Sequence, residues 1–170
     1  MKVSALTIAV VLSAAATAWA QAPSDAQIAH IVVTANQVDI DAGKIAAARA
    51  TNAEVKAYGE MMARDHAGVN KQAVALATKL KVTPEDNGTS KSLKAGGEKN
   101  VAHLKTLKGA EFDKAYIDNE VAYHQAVLDA VDKTLVPSAQ NAELKALIVQ
   151  VRPAFVAHLE QAKKVQSSLK

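Results

Sequence analysis

Three histidines stand where imidazole side chains could do chemistry. His66 follows Met62 and precedes Val69, His124 follows Val121 and precedes Leu128, and His158 follows Phe155. Neighbours at three- and four-residue steps share one face of a helix, so each ring falls on or beside an apolar stripe. Asp39 belongs to an earlier amphipathic segment. With a rise of about 1.5 Å per residue and helices of alternating direction, Asp39, His66, His124 and His158 all reach a level roughly 15–25 Å from one end of a bundle. A carboxylate and several imidazoles meeting there would hold a divalent or copper ion, because imidazole nitrogen suits Zn, Cu, Fe and Ni. Asp65, Glu120 and Tyr116 can add ligands or orient the rings through hydrogen bonds.

A structural reading competes with this one. A histidine at the edge of an apolar stripe also serves as a core residue, hydrogen-bonded to a carboxylate on a neighbouring helix. His30 and His103 read as ordinary surface or half-buried residues. Of Met61 and Met62 only one can face inward, where a thioether fills gaps in the core.

Other chemistries lack their residues. With no cysteine in the chain, thiolate metal sites and cysteine nucleophiles are excluded. Di-iron bundle oxidases carry a Glu-x-x-His on each of two helices. Neither that spacing nor Asp-x-x-His occurs here, the nearest arrangement being Glu120 to His124, four apart and present once. No Gly-x-Ser-x-Gly elbow, His-Glu-x-x-His, phosphate-binding glycine loop or calcium loop is found.

The elements that must position the histidines are helices. Aromatic residues make up 4% of the chain and β-branched runs are short, which disfavours strands. The first helix is expected to start at Ser24, an N-cap with Gln27 three residues on, and to run to about Ala50. Thr51-Asn52 caps a second, carrying Val55, Tyr58, Met62, Val69, Ala73, Leu76 and Leu80, that ends before Thr83-Pro84; Asn87-Gly88 then marks a turn. Ser90 is expected to cap a third, the shortest and most irregular, weakened by Gly96-Gly97 and stopped by Gly109. A fourth spans Glu111 to Leu135 and is broken by Pro137-Ser138. A fifth starts near Asn141, with Pro153 expected to bend it or shift its start. Four long amphipathic helices with a weaker segment crossing between two hairpins form a ferritin-like four-helix bundle, and the chain is all-α.

Residues 1–20 read as a signal peptide rather than as part of that fold. Lys2 is followed by an apolar stretch over Ala5 to Ala18, and Ala18-Trp19-Ala20 is a small-x-small cleavage signature, leaving residues 21–170 as one helical bundle domain in the periplasm or secreted. The stretch is too short to span a bilayer comfortably, and no transmembrane segment follows. The 20 basic and 17 acidic residues alternate along the chain without a basic stripe, so nucleic acid is not the expected partner. Lys44, Lys56, Lys71, Lys79 and Lys163-Lys164 read as solvated helix faces in preference to a membrane-binding surface.

Three motifs carry a family resemblance. They are Asn52-Ala53-Glu54-Val55-Lys56 with Met61-Met62-Ala63-Arg64-Asp65-His66; Gly109-Ala110-Glu111-Phe112-Asp113-Lys114-Ala115-Tyr116-Ile117 with His124; and Arg152-Pro153 with His158-Leu159. In this order they resemble the domain-of-unknown-function family 4142, a ferritin-like group of exported bacterial proteins. The resemblance covers nearly all of the chain after residue 20 and implies the bundle fold, but no reaction. One position departs from the pattern: Asp39 and Asp41 precede Gly43 where the family usually carries Glu, and Asp has the shorter reach.

Two functions follow. The first is a non-catalytic periplasmic bundle that binds a protein partner in the envelope or serves envelope stress, with its histidines in the core. The alternative is a bundle that binds Zn, Cu or Fe through Asp39, His66, His124 and His158, with redox activity as a further step that depends on the metal. No cofactor beyond such an ion is implied, and no catalytic residue is assigned.

Overall fold

The computed structural model describes residues 22–169, and every described element is helical. The signal-peptide reading of residues 1–20 and its cleavage after Ala20 lie outside the described residues. Helix α1 spans Asp25–Arg49, α2 Ala53–Leu80, α3 Gly88–Thr106 and α4 Gly109–Ala130. A π-helical turn, Val131–Leu135, and a single turn α5, Val136–Ser138, prolong α4; α6 spans Ala142–Ser168. Among the described residues no helix is long and apolar enough to cross a membrane.

Local side-chain chemistry starts these helices. Ser24 Oγ accepts the Gln27 N–H at 3.2 Å while Gln27 Oε1 accepts the Ser24 N–H at 3.1 Å, the reciprocal box expected there. Asn52 caps α2 and Asn141 caps α6, each accepting two backbone N–H groups of the first turn. The start of α3 differs from expectation. Asn87 is its cap, and Ser90 instead closes the box from inside: Asn87 Oδ1 accepts the Ser90 N–H, and Ser90 Oγ accepts the Asn87 N–H.

The helix also runs uninterrupted through Gly96-Gly97, where irregularity was expected. A methyl group on Gly97 would stand 2.7 Å from Val38 Cγ2, so glycine there lets α3 lie close against α1. The fourth helix, expected unbroken to Leu135, widens into the π turn from Val131, and the helical run ends at Ser138, at the expected Pro137-Ser138 break. The proline has no N–H to give and its ring crowds the carbonyl four residues back, which belongs to the π turn. Pro153 lies inside α6 and does not shift its start.

Hydrogen bonds between helix ends fix the directions. The Glu85 N–H bonds to the Ala26 carbonyl and Asn87 Nδ2 to the Gln27 carbonyl, setting the start of α3 beside that of α1. Arg49 donates to the carbonyls of Leu104 and Leu107, joining their far ends. Asp113, at the start of α4, accepts from Thr51 N, Thr51 Oγ1 and Asn52 N in the link between α1 and α2. Asp25 accepts from Gln140 N and Asn141 N, and Ser168 Oγ donates to Glu54. Thus α1, α3 and α6 run one way and α2 and α4 the other, with α3 spanning the bundle between the α1–α2 and α4–α6 hairpins.

The apolar core falls in two regions along the axis. One end holds Val55, Tyr58, Met62, Leu104, Phe112, Tyr116, Ile117 and Val165. The rest holds Ile28, Ile31, Val131, Leu135 and Ile148, together with Val69, Leu128, Leu147, Phe155 and Leu159. Along every core helix the crossover between these regions passes a polar side chain.

Candidate metal centre

That polar layer consists of Asp39 from α1, His66 from α2, Glu120 and His124 from α4, and His158 from α6. All are buried, from 0% exposure for Glu120 to 5% for His158. A ring nitrogen of His66, one of His124 and one of His158 lie within 4.8 Å of one another. So do a carboxylate oxygen of Asp39, one of Glu120 and a ring nitrogen of His124. His124 is common to both sets.

Hydrogen bonds fix which nitrogen of each ring carries the proton. Asn36 Nδ2 donates to the Val32 carbonyl at 2.7 Å, which turns its Oδ1 toward His66 Nδ1, also at 2.7 Å. An amide oxygen only accepts, so His66 Nδ1 holds the hydrogen and Nε2 keeps its lone pair. His124 Nδ1 lies 3.1 Å from the Glu120 backbone carbonyl, again an acceptor, and its Nε2 is left bare. His158 Nε2 meets Asp65 Oδ2 at 3.2 Å, leaving Nδ1 bare. The three bare atoms, His66 Nε2, His124 Nε2 and His158 Nδ1, are buried and have no hydrogen-bond partner among the described residues.

The carboxyl side of the layer is equally unfinished. Among the described residues neither oxygen of Glu120 has a hydrogen-bond partner, the His124 Nδ1 standing 3.5 Å from its Oε2. The adjacent Asp39 carboxyl can satisfy one of them only if the pair carries a proton. Burial drives this: it lifts Asp39 to about 8 and, with the neighbouring Asp39 charge, holds Glu120 well above the usual carboxylate range. Asp39 Oδ2 also stands 3.5 Å from His66 Nε2.

Burial acts in the opposite sense on the rings. It lowers His66 to about 2, aided by the His124 and His158 charges, and lowers His124 to about 4. His158 is lowered too, with Asp65 opposing. At neutral pH the three imidazoles are therefore uncharged, which is the form that binds metal.

All four residues expected at one level are brought together. Asp65 accepts from the His158 ring, and Glu120, one of the residues read as able to add a ligand or orient a ring, lies in the cluster with Asp39 and His124. The Tyr116 hydroxyl is buried without a partner. Sequence reasoning passed over Asn36, Phe155 and Tyr58. Phe155 stacks on the His66 ring at 5.4 Å and 9°, and the Tyr58 hydroxyl donates to the His158 carbonyl at 3.2 Å. A polar side chain three residues before Asp39, on the same helix face, was the available signal for Asn36.

These shifts set an expected pH optimum for the metal-free protein. Below pH 6.5 the unfolded chain takes up protons on three histidines that the folded chain refuses, so stability falls as pH drops toward about 4 and beyond. The folded chain holds protons on Asp39 and Glu120 that the unfolded chain releases at 3.8 and 4.5, so that contribution is lost as pH rises through about 8. On acidification His66 and His124 offset the two carboxyls, so the net loss there is the share of His158 and lasts only until its folded ring protonates, whereas above pH 6.5 two protons are unbalanced, at about 1.4 kcal/mol per pH unit each. Denaturant midpoints of the metal-free protein should peak near pH 6.5. A profile flat from acid to alkaline pH would contradict the arrangement.

The family described as a domain of unknown function (DUF4142) matches residues 11–165 of the chain. No curated protein and no solved structure matches it.

Proposed function

This chain belongs to the DUF4142 family, and we propose that it is a metal-binding bundle whose centre is built from His66, His124, His158, Asp39 and Glu120. One observation carries the reading: three buried histidines, each with one ring nitrogen that lacks a hydrogen-bond partner, cluster beside the buried Asp39 carboxyl and a Glu120 carboxyl whose two oxygens also lack one among the described residues. Leaving such groups unpartnered costs about 1–3 kcal/mol each, and a cation held by either triad, the three imidazoles or Asp39, Glu120 and His124, answers its members. Two ligands each about 2.1 Å from an ion stand at most about 4.2 Å apart, so atoms within 4.8 Å are a small side-chain adjustment from sharing one.

Nitrogen and carboxylate donors without a thiolate suit Zn, Fe, Ni or Cu(II). Asn36, the Glu120 carbonyl and Asp65 fix the ring tautomers and so act as the orienting partners of the ligands. Binding of a divalent ion would displace the protons held by Asp39 and Glu120, so affinity falls on acidification. Redox activity, which such an ion permits, is a separate question from its binding.

The setting proposed with this function is the periplasm, supported by the charged, apolar and small-x-small order of residues 1–20. A ferritin-like fold is supported by the two hairpins and the α3 crossover. The competing function is a non-catalytic bundle with structural histidines, and each ring does make one hydrogen bond. Elemental analysis of untagged protein purified from its native compartment, beside His66→Ala/His124→Ala, decides between them. Stoichiometric metal that the variant lacks is expected. Absence of metal even after reconstitution with Zn, Cu and Fe would leave the histidines a structural role only.

A further inference from the structure

Two apolar voids lie in series along the bundle axis, and the inner one ends at the candidate centre. The inner void measures about 30 Å³ and is walled by Ile31, Val69, Val127, Ile148 and Phe155, with Val131 and Leu135 of the π turn. Asn36, Asp39 and His66 close one end of it. The outer void, about 20 Å³, sits near the helix starts at Asp25 and Asn141 among Ala29, Ala73 and Leu76. Half-buried Val32 lines both and is the partition between them.

The inner void is large enough for a water molecule, which requires at least about 10–15 Å³, but a buried water also needs two to four polar partners. Asn36 Nδ2 gives one of its two hydrogens to the Val32 carbonyl, and Oδ1 accepts from His66 Nδ1. What remains polar is the second Asn36 N–H, the Asp39 carboxyl and His66 Nε2, all in the lining at the one end beside the centre. Away from that end the lining offers a water nothing to bond, and apolar cavities of this kind stay dry and take apolar guests.

We propose that the two voids are a holding site and an entry route for a small apolar gas, dioxygen in kind, leading from the helix starts past Val32 to the Asp39–His66 side of the centre. The size admits a diatomic molecule and little more. Dioxygen is the apolar molecule of that size that is dissolved in aerated water and able to ligate a transition metal. The consequence of this site rests on the metal reading above; its existence does not, since the void is formed by the apolar side chains alone.

Dioxygen itself can serve as the probe, because its paramagnetism broadens the resonances of nearby methyl groups. The full chain, metal-free and methyl-labelled, would be compared under oxygen and under argon pressure. The methyls of Val69 and Ile148, 8% and 2% exposed, should broaden more than those of Val55 and Val165, 0% and 1% exposed in the opposite core region, and filling the void separates its effect from the greater exposure of Val69. Ile148→Phe, which fills the inner void, should abolish that excess at Val69, and Val151→Leu provides the same test should the bulkier variant not fold. Equal broadening at all buried methyls, or an excess that survives filling, would overturn the site. Metal found by elemental analysis without oxygen broadening removes this inference alone, whereas oxygen broadening without metal removes only the function proposed above.

Discussion

Replacing His124 with leucine is expected to leave the metal-free protein at least as stable as the native chain while abolishing the stabilisation that metal confers. Leucine is close to histidine in size, so the site stays filled. The exchange forfeits one hydrogen bond, from His124 Nδ1 to the Glu120 carbonyl at 3.1 Å, and removes a buried bare nitrogen. A typical intramolecular hydrogen bond contributes about 1 kcal/mol, and an unsatisfied buried polar atom costs about 1–3 kcal/mol, so the balance favours leucine or is neutral.

Metal reverses the order. An ion that binds only the folded chain adds about 4 kcal/mol at a free concentration a thousand times its Kd. His124 is the side chain common to the imidazole set and the carboxylate set, so its loss breaks both. Thermal melts of the two proteins, each with chelator and with excess Zn, should show the native chain alone rising with metal. A leucine variant much less stable than the native chain in chelator, with no response to metal in either, would instead mark His124 as a structural residue.

Gly59→Ala is expected to destabilise the protein by about 2–3 kcal/mol, at the upper end of what overpacking costs. Helices α1 and α2 touch backbone to backbone here. A methyl on Gly59 would stand 2.7 Å from Ala46 Cβ, 2.8 Å from the Gly43 carbonyl oxygen and 2.9 Å from Ala47 N. Gly43 is placed reciprocally, since a methyl on it would stand 2.7 Å from the Gly59 carbonyl oxygen. No rotamer relieves a clash with backbone, so the helices must part.

The same exchange at Gly68 or Gly96, where nothing lies within 4 Å, should stabilise by up to about 1 kcal/mol through helix propensity. Urea denaturation of the three variants therefore predicts opposite signs for one chemical change. Gly43 lies one turn beyond Asp39, so parting the helices also draws Asp39 from His66, and Gly59→Ala should weaken metal binding too. Three variants of equal stability would show that the α1–α2 contact is looser than the structure places it.

Much of this architecture is legible in the order of residues. Four-residue steps place Phe112, Tyr116, Glu120, His124 and Leu128 on one face of α4, and all five are buried. Such periodicity is a property of the helix alone and needs no partner. Ser24, Asn52 and Asn141 act as caps because a short polar side chain satisfies the free N–H groups of the next turn, an interaction confined to a few residues. The start of α3 was displaced for the same local reason, since Asn87 and Ser90 are both competent caps and only their mutual bonding decides between them.

Distance in the chain hid the rest. The level shared by Asp39, His66, His124 and His158 could be estimated from helix rise, but rise does not say which ring nitrogen faces inward. That choice belongs to Asn36, the Glu120 carbonyl and Asp65. Nor does a pattern of Gly and Ala say which glycine touches a neighbouring backbone: Gly59 does and Gly68 does not. Amphipathic period, caps and the absence of cysteine are written residue by residue, because helix formation and side-chain chemistry are local. The bare nitrogens, the raised carboxyls and the mostly apolar cavity beside them exist only once four helices exclude water from one layer, since an unpaired polar group and an empty space are defined by what surrounds them.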